Sequence, residues 1–235
     1  MKEILSAIAG LIFIICVPIL LLTTNSWFTA NDIRLYEYDY NHYPVGIGTG
    51  LDKEEFLDVA DEIITYFKSD EEYLDVELFS EREVAHMKDV KGLIQLDYKL
   101  LLASLSFIVA YIVINFALRR GSFWRVLAKR LIQGSAVTVI VLAVLGLWAL
   151  IDFDSLFLCF HKVSFTNNLW QLAPGDNLVL MFPEAFFNDA ALFVAAVVLG
   201  ESIFIAILAG VLLAALRWKQ RGAAVTTQSD WTREV

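Results

Sequence analysis

Four long apolar runs divide the chain. They cover residues 4–22, 100–118, 131–151 and 191–216. Each has roughly the 20 residues that a helix needs to cross the hydrocarbon core of a bilayer. The first run follows Lys2, as in a signal peptide, but no clear small-residue cleavage site comes after it, which favours a retained helix. The pattern predicts an α-helical polytopic membrane protein with four transmembrane helices.

Basic residues predict the orientation of these helices. They gather in the short connection between the second and third runs, and again after the fourth run: Arg119, Arg120, Arg125, Lys129, Arg130, Arg217, Lys219 and Arg221. Loops rich in lysine and arginine stay on the cytoplasmic side of a membrane. Both termini are therefore predicted to be cytoplasmic, with residues 23–99 and 152–190 outside.

The polar region between the first two runs predicts a small α+β extracytoplasmic domain. Residues 33–40 alternate between polar and aromatic or apolar side chains, which is typical of a strand, and residues 74–79 suggest a second strand. Asp52 and Glu55 have the spacing of a helix capping box. The apolar face of that helix is expected to comprise Phe56, Ala60, Ile63, Ile64 and Phe67.

The predicted organisation has six parts. They are a first transmembrane helix (1–22), an extracytoplasmic domain (23–99), transmembrane helices 2 and 3 with the basic loop (100–151), an outer aromatic segment (152–190), a fourth transmembrane helix (191–216) and a cytoplasmic tail (217–235). The aromatic segment suits a membrane interface, where such side chains anchor a helical bundle. That role leaves its histidine and its two adjacent asparagines unexplained.

The candidate chemistry centres on residues 79–94, FSEREVAHMKDVKGLI. Ser80 and Glu83 have the spacing of a capping box, so a helix is predicted to begin at Ser80. An apolar stripe on it would consist of Val84, Met87, Val90 and Ile94, with Arg82, Glu83, His86 and Asp89 towards the other side. His86 is then either a catalytic group among charged neighbours or an ordinary surface histidine.

Composition narrows the remaining possibilities. The chain is 58% hydrophobic with a formal net charge of −9, so it offers no basic surface for nucleic acid. Cys16 and Cys159 lie far apart in sequence and imply no disulfide framework. Cys159 precedes His161 by two residues, but a packing role is favoured over that of a nucleophile.

Two further features have structural and functional interpretations. The GIGTG sequence at residues 46–50 is interpreted as a turn, since it lacks the full spacing of a phosphate-binding loop. Glu201 lies about midway along the fourth apolar run, where a carboxylate is costly. It either bonds to Asn115 or to a serine or threonine of a neighbouring helix, or it tunes a functional site.

Three motifs carry a resemblance to a known family. They are FSEREVAHMKDVKGLI, then FHKVSFTNNLWQLAP, then LMFPEAFF. With four predicted spans and a large first outer loop, the chain resembles the bacterial lipoprotein intramolecular transacylase family, Lit, over nearly its whole length. The most specific pieces are the group His86, Met87, Asp89 and Val90, and the second histidine, His161.

The resemblance implies an enzyme of the bacterial cytoplasmic membrane with its active site on the outer side. Its partners would be membrane lipid and a diacylated lipoprotein, and it would need no cofactor. It would move the sn-2 acyl chain of the S-diacylglyceryl cysteine to that cysteine's own α-amino group, giving a lyso-form lipoprotein. An α-amine with a pKa of about 7.7–8 is mostly protonated at neutral pH, so a histidine is a suitable base to release it.

The resemblance also suggests roles for individual residues. His86 is predicted to be the base, and His161 its partner, which orients it or protonates the leaving sn-2 oxygen. Asn167 and Asn168, or backbone N–H groups beside them, are the candidate oxyanion donors. Arg82 and Asp89 are further candidates for holding the substrate.

Two other functions remain compatible with the residues. A zinc-dependent membrane hydrolase would use His86, His161 and Asp89 as ligands, although no HExxH spacing supports it. A non-enzymatic sensor or accessory protein would present an acidic outer domain on a helical anchor.

Overall fold

A computed structural model describes residues 2–119 and 121–231 of the protein. Its helices are α1 (Lys2–Ala30), α2 (Ile33–His42), α3 (Val45–Thr49), α4 (Lys53–Lys68), α5 (Glu81–Arg119), α6 (Phe123–Ile151), α7 (Phe153–Ser164), α8 (Asn177–Met181) and α9 (Glu184–Trp231). These described residues contain no β-strand. The prediction of a small α+β domain is therefore wrong, because that region is helical. Arg120 of the basic loop and residues 232–235 of the predicted tail lie outside the described residues.

Four of these helices are long and apolar enough to cross a membrane, namely α1, α5, α6 and α9. The four spans predicted from the sequence are confirmed at this level. Many large apolar side chains on these helices are exposed, such as Leu11 (57%), Phe116 (60%) and Phe204 (62%). Exposed apolar surface of this extent is what lipid tails cover in a membrane protein.

The predicted strand at residues 33–40 is instead helix α2. The side chain of Asp32 accepts a hydrogen bond from the Arg34 N–H group and caps the helix. Tyr36 and Asp39, three residues apart on one helical face, are buried. Tyr40 packs against Phe56 of α4, with 5.4 Å between ring centroids. The alternation of aromatic residues resembled a strand, but the cap and the packing against α4 favour a helix.

The second predicted strand, residues 74–79, forms turns and irregular structure. Leu74 and Phe79 are buried in the apolar core at either end of this segment. The carbonyl of Leu78 accepts a hydrogen bond of 2.7 Å from the side chain of Asn177. The segment bonds to a side chain instead of pairing with a neighbouring strand.

Helix α4 agrees closely with its prediction. Asp52 accepts hydrogen bonds from the Glu54 and Glu55 N–H groups, and the side chain of Glu55 accepts from the Asp52 N–H group. This reciprocal capping box fixes the start of the helix. All five residues of the predicted apolar face are buried: Phe56, Ala60, Ile63, Ile64 and Phe67.

Residues 22–102 and 142–197 form one compact unit. Its core joins α4 to the aromatic residues after α7 and to the start of α5: Tyr36, Val45, Phe56, Ala60, Ile63, Ile64, Tyr66, Phe67, Leu74, Phe79, Met87, Leu178, Met181, Phe182 and Phe186. The short helix α3 ends at Gly50, whose φ of +78° is a left-handed conformation that suits glycine. The interpretation of the GIGTG sequence as a turn holds in part, since α3 occupies most of it.

The described parts of residues 1–21, 103–141 and 198–235 form a second unit. Within its described part, Phe13, Val17 and Tyr111 make a small buried cluster. Gly134 of α6 approaches Val17 so closely that an added Cβ would lie 2.7 Å from the Val17 side chain. Small residues at such positions let membrane helices pack closely.

Candidate active site

The start of α5 is held in place by Glu83. Its carboxylate accepts hydrogen bonds from the Ser80 N–H group at 2.7 Å and from the Leu178 N–H group at 2.6 Å. The Glu83 N–H group donates to the Ser80 hydroxyl at 3.4 Å, which completes the predicted capping box. The helix begins one residue later than predicted, at Glu81. Glu83 is 2% exposed and anchors the helix to α8, so it does not join the polar cluster that the sequence suggested.

Helix α5 separates an apolar face from a polar one near its start. Met87 is buried in the core, and the rest of the predicted apolar stripe packs against that core: Val84, Val90 and Ile94. Arg82, His86 and Asp89 have contacts instead with the segment that follows α7. The helical spacing of residues 82, 86 and 89 places them on neighbouring turns of one face.

His161 is located near the end of α7, a helix capped by Asp152. Its Nδ1 atom lies 2.8 Å from the carbonyl oxygen of Phe157. A carbonyl oxygen only accepts hydrogen bonds, so Nδ1 carries the proton, and Nε2 of the neutral ring keeps its lone pair. Burial lowers the pKa of His161 below its ordinary value, and the bond to Phe157 opposes this shift in part.

The two histidines belong to one cluster of rings. Their centroids are 6.4 Å apart, with 30° between the ring planes. Phe165 contacts both rings, at 5.2 Å from His86 and 5.7 Å from His161. His86 is 7% exposed, and no described residue bonds to its Nδ1 atom. Burial of this kind disfavours a charged imidazole.

The loop after α7 is fastened to the polar face of α5 by two hydrogen bonds. The Asn167 amide donates to the Asp89 carboxylate at 2.8 Å, and Nη2 of Arg82 donates to the Asn168 carbonyl at 2.7 Å. Asn167 also accepts from the Leu169 N–H group through its side chain. All four of these sequence-predicted residues therefore meet beside His86. Arg82 bonds to the loop itself in this arrangement.

A cavity of about 200 Å³ opens beside this contact. It is lined by Asp89, Gly92, Leu93, Leu96, Ser164, Phe165, Thr166 and Asn167. A carboxylate and an amide therefore face the cavity together with apolar side chains of α5. Such a lining suits a molecule that carries both a positively charged group and an apolar part.

The sequence alone did not identify the aromatic residues that surround His161. Phe157, Phe160, Phe165 and Trp170 all lie within 4.4 to 5.7 Å of its ring centroid. Phe157 and Phe165 are four residues before and after the histidine, and this helical spacing was the available signal. These aromatic side chains bury part of the imidazole and restrict its orientation.

Among the described rings, His42 does not join the cluster around His86 and His161. The ring of His42 stacks on Tyr38, with 3.9 Å between centroids, and its Nδ1 bonds to the Tyr38 carbonyl. Cys159 is a free, partly buried thiol. Across the described residues, no three His, Cys, Asp or Glu side chains form a metal-binding group, so the zinc hypothesis has no ligand set there.

Comparisons with known proteins agree on one family. The model of the family Lipoprotein intramolecular transacylase Lit matches residues 11–187. An uncharacterized protein of Aquifex aeolicus (strain VF5) is 27% identical over 169 residues, which cover 68% of this chain and 73% of that protein.

Solved structures share the fold. The membrane-integral lipoprotein intramolecular transacylase Lit from Bacillus cereus superimposes with a TM-score of 0.80 at 24% identity, over 92% of this chain and 99% of that chain. A variant of the same protein with a histidine replaced by alanine has a TM-score of 0.75 at 23% identity, over 92% of this chain and 97% of that one.

The helical fold and the match to membrane-integral structures define a polytopic membrane protein, and the family match indicates an acyltransferase. The chain belongs to the Lit family of lipoprotein intramolecular transacylases, whose model matches most of its length. The family resemblance predicted from the sequence is confirmed. Membership in a transacylase family disfavours both the zinc hydrolase and the non-enzymatic sensor.

Proposed function

We propose that this transacylase moves the sn-2 acyl chain of a lipoprotein's S-diacylglyceryl cysteine to the α-amino group of the same cysteine. The product is a lyso-form lipoprotein. Family membership supports the substrate class. The observation that supports this chemistry is the histidine pair. The imidazole of His86 is buried, that of His161 is partly buried, and their centroids are 6.4 Å apart. The reaction requires one proton to leave the amine and one to reach the leaving oxygen, and positioned imidazoles can catalyse both transfers.

The reaction balances without a stored acyl group. The amine nitrogen attacks the sn-2 ester carbonyl, a C–N bond forms, and the C–O bond to the glyceryl oxygen breaks. One proton leaves the nitrogen, and one proton reaches the released glyceryl oxygen. Because ester and amine belong to one molecule, holding them in contact supplies much of the rate enhancement.

The hydrogen bonding suggests how the two histidines divide this work. Since Nδ1 of His161 donates to the Phe157 carbonyl, its Nε2 lone pair is available to accept the amine proton. His86 would then orient the ester, or it would receive the proton from His161 and pass it to the leaving sn-2 oxygen, so that both rings end neutral. From the sequence, His86 is predicted to be the base, but the bond between His161 and Phe157 favours the reverse assignment.

The loop after α7, which contains Asn167 and Asn168, is the proposed source of oxyanion stabilisation. Nδ2 of Asn167 uses one N–H to bond Asp89, and its amide has a second N–H to donate. The backbone N–H groups nearby are the other candidates. We place this site on the outer side of the cytoplasmic membrane, as the positions of the basic residues favour.

An isotope experiment tests whether the transfer is intramolecular. A lipoprotein with labelled acyl chains is mixed with an unlabelled lipoprotein of different mass, in unlabelled phospholipid, and the products are weighed. Each N-acylated product should keep the label state of its own diacylglyceryl group and have one O-linked chain fewer. Label exchanged between lipoproteins, or an N-acyl chain taken from phospholipid, would disprove the proposal.

Asp89 is expected to bind the substrate's ammonium group, because its carboxylate lines the cavity between α5 and the loop after α7. Asp89→Asn should raise KM about tenfold or more, since a charge-assisted hydrogen bond is worth roughly 1.5–3 kcal/mol. The effect on kcat should be smaller. Glu81→Gln is the matched control, an exposed carboxylate on the same helix. Equal KM values for both variants would assign Asp89 to loop packing alone.

A further inference from the structure

A second cavity, of about 400 Å³, lies among α1, α5 and α6. It is lined by Glu3, Ser6, Ala7, Arg119 and Arg130. Arg119 is the last residue of α5 and Arg130 lies about two turns into α6, so both are near the end of these helices that the short connection joins. The acyl-transfer residues have no part in this cavity.

Arg119 is held in a fixed orientation on one side of the cavity. Its Nη2 atom donates to the Ser6 hydroxyl at 2.6 Å, and its Nε atom donates to the Asn115 side chain at 2.7 Å. The side-chain amide of Asn115 in turn donates to the Tyr111 carbonyl. These bonds use two of the five guanidinium N–H donors and leave the group half-buried.

Arg130 is held on the other side, against the backbone of α1. Its Nη1 atom donates to the Gln133 side chain at 3.1 Å. Gly10 makes this position possible, because a Cβ there would lie 2.5 Å from Nη2 of Arg130. Gly10 is buried under the guanidinium, so any larger residue would displace it.

The charges of the cavity suit a singly charged anion. Two arginines and one glutamate leave a net charge of +1, and among the described side chains no carboxylate forms an ion pair with either guanidinium. Paired guanidinium groups bind phosphate oxygens strongly because their planar N–H groups match the spacing of the oxygens. Phe116, one helical turn before Arg119 on α5, is an exposed apolar side chain (60%) near the cavity.

We propose that this cavity binds the phosphodiester headgroup of an anionic phospholipid. Arg119 and Arg130 bond to the phosphate oxygens, and the exposed apolar surface of α5 next to Arg119 carries the acyl chains. A basic cavity between membrane helices is a recurrent site for such headgroups. Ordinary interfacial arginines would reach into water, whereas Arg119 bonds to Ser6 of α1 and Arg130 lies against Gly10 of α1.

Binding of an anionic phospholipid to this cavity can be measured by thermal unfolding of the full-length protein in a nonionic detergent. Dioctanoyl phosphatidylglycerol should raise the midpoint by about 3 °C or more at ten times its Kd. Dioctanoyl phosphatidylcholine tests whether binding requires a net negative charge on the lipid headgroup. Inorganic phosphate tests whether a free anion, without a lipid, occupies the cavity. Equal shifts with both lipids would overturn the proposal. A shift of the same size with inorganic phosphate alone would overturn the lipid assignment.

Variants locate the site. Arg130→Gln should weaken phosphatidylglycerol binding about tenfold or more, the effect of losing a charge-assisted bond. Lys129→Gln removes the same charge from an exposed neighbour and should change Kd less than about twofold. Gly10→Ala keeps every charge and displaces only the guanidinium end of Arg130, so it tests the geometry even if Arg130→Gln fails to fold. Unchanged binding by Gly10→Ala, or equal losses for Arg130→Gln and Lys129→Gln, would refute the site.

Discussion

Replacing His161 by alanine should lower the rate of lyso-form product formation about 10²- to 10⁴-fold, the usual contribution of a positioned acid or base. Alanine has no lone pair to accept the amine proton, and the Phe157 carbonyl loses the Nδ1–H donor that orients the ring. His86→Ala should cause a loss of similar size, because the two rings lie in one cluster. Mass spectrometry of a purified diacylated lipoprotein, before and after incubation with each variant, measures the rate.

His42→Ala is the matched control for this experiment. His42 stacks on the Tyr38 ring and contacts neither of the other two histidines within the described residues. Its replacement should leave turnover within about twofold of the parent, as expected for a surface substitution. Near-normal turnover by His86→Ala or His161→Ala, at normal expression and thermal stability, would assign that histidine to packing.

Asp39 is expected to make the protein's stability depend strongly on pH. It is fully buried in α2, and neither carboxylate oxygen has a hydrogen-bond partner among the described residues. Burial raises its pKa from 3.8 to about 8, and Tyr36 and Tyr43 are its ionisable neighbours. The folded protein holds this proton more tightly than the unfolded chain does. Its stabilising contribution is therefore complete below about pH 4 and is lost as the pH rises to about 8.

Between about pH 4 and pH 8, the ionisation of Asp39 should lower the free energy of unfolding by roughly 3–5 kcal/mol. This corresponds to about 10 °C in the midpoint of thermal unfolding. Asp39→Asn removes the ionisable group and should flatten the decline in midpoint between about pH 5 and pH 8. Asp58→Asn, an exposed acid on the neighbouring helix α4, should leave the decline unchanged. The mechanism fails if Asp39→Asn and the parent lose stability with the same slope.

Local sequence signals predicted the structural elements that depend on interactions between residues close together in the sequence. The four apolar runs identified the membrane helices, because the need to satisfy backbone hydrogen bonds in lipid leaves a long apolar segment few structures besides a helix. The capping boxes at Asp52 and Ser80 marked where α4 and α5 begin, since their hydrogen bonds join residues three apart. The apolar faces of both helices followed from helical periodicity.

Residues 33–40 show where such signals fail. Their aromatic side chains alternate as in a strand, yet Tyr36 and Asp39 face the core from a helix that packs against α4. A short segment with polar and aromatic residues fits either structure by its own preferences. Contacts with distant residues decide the outcome, and the sequence pattern of the segment does not contain them.

The candidate site also depends partly on local sequence signals and partly on contacts between distant residues. The sequence determined which chemical groups the chain offers, and the helical spacing of Arg82, His86 and Asp89 placed them on one face of α5. Only the tertiary structure decided that His161 lies beside His86, that Asn167 bonds to Asp89 across 78 residues of sequence, and that a carbonyl fixes the His161 tautomer. Helix faces and caps depend on residues a few positions apart, whereas these contacts depend on how separate helices pack together.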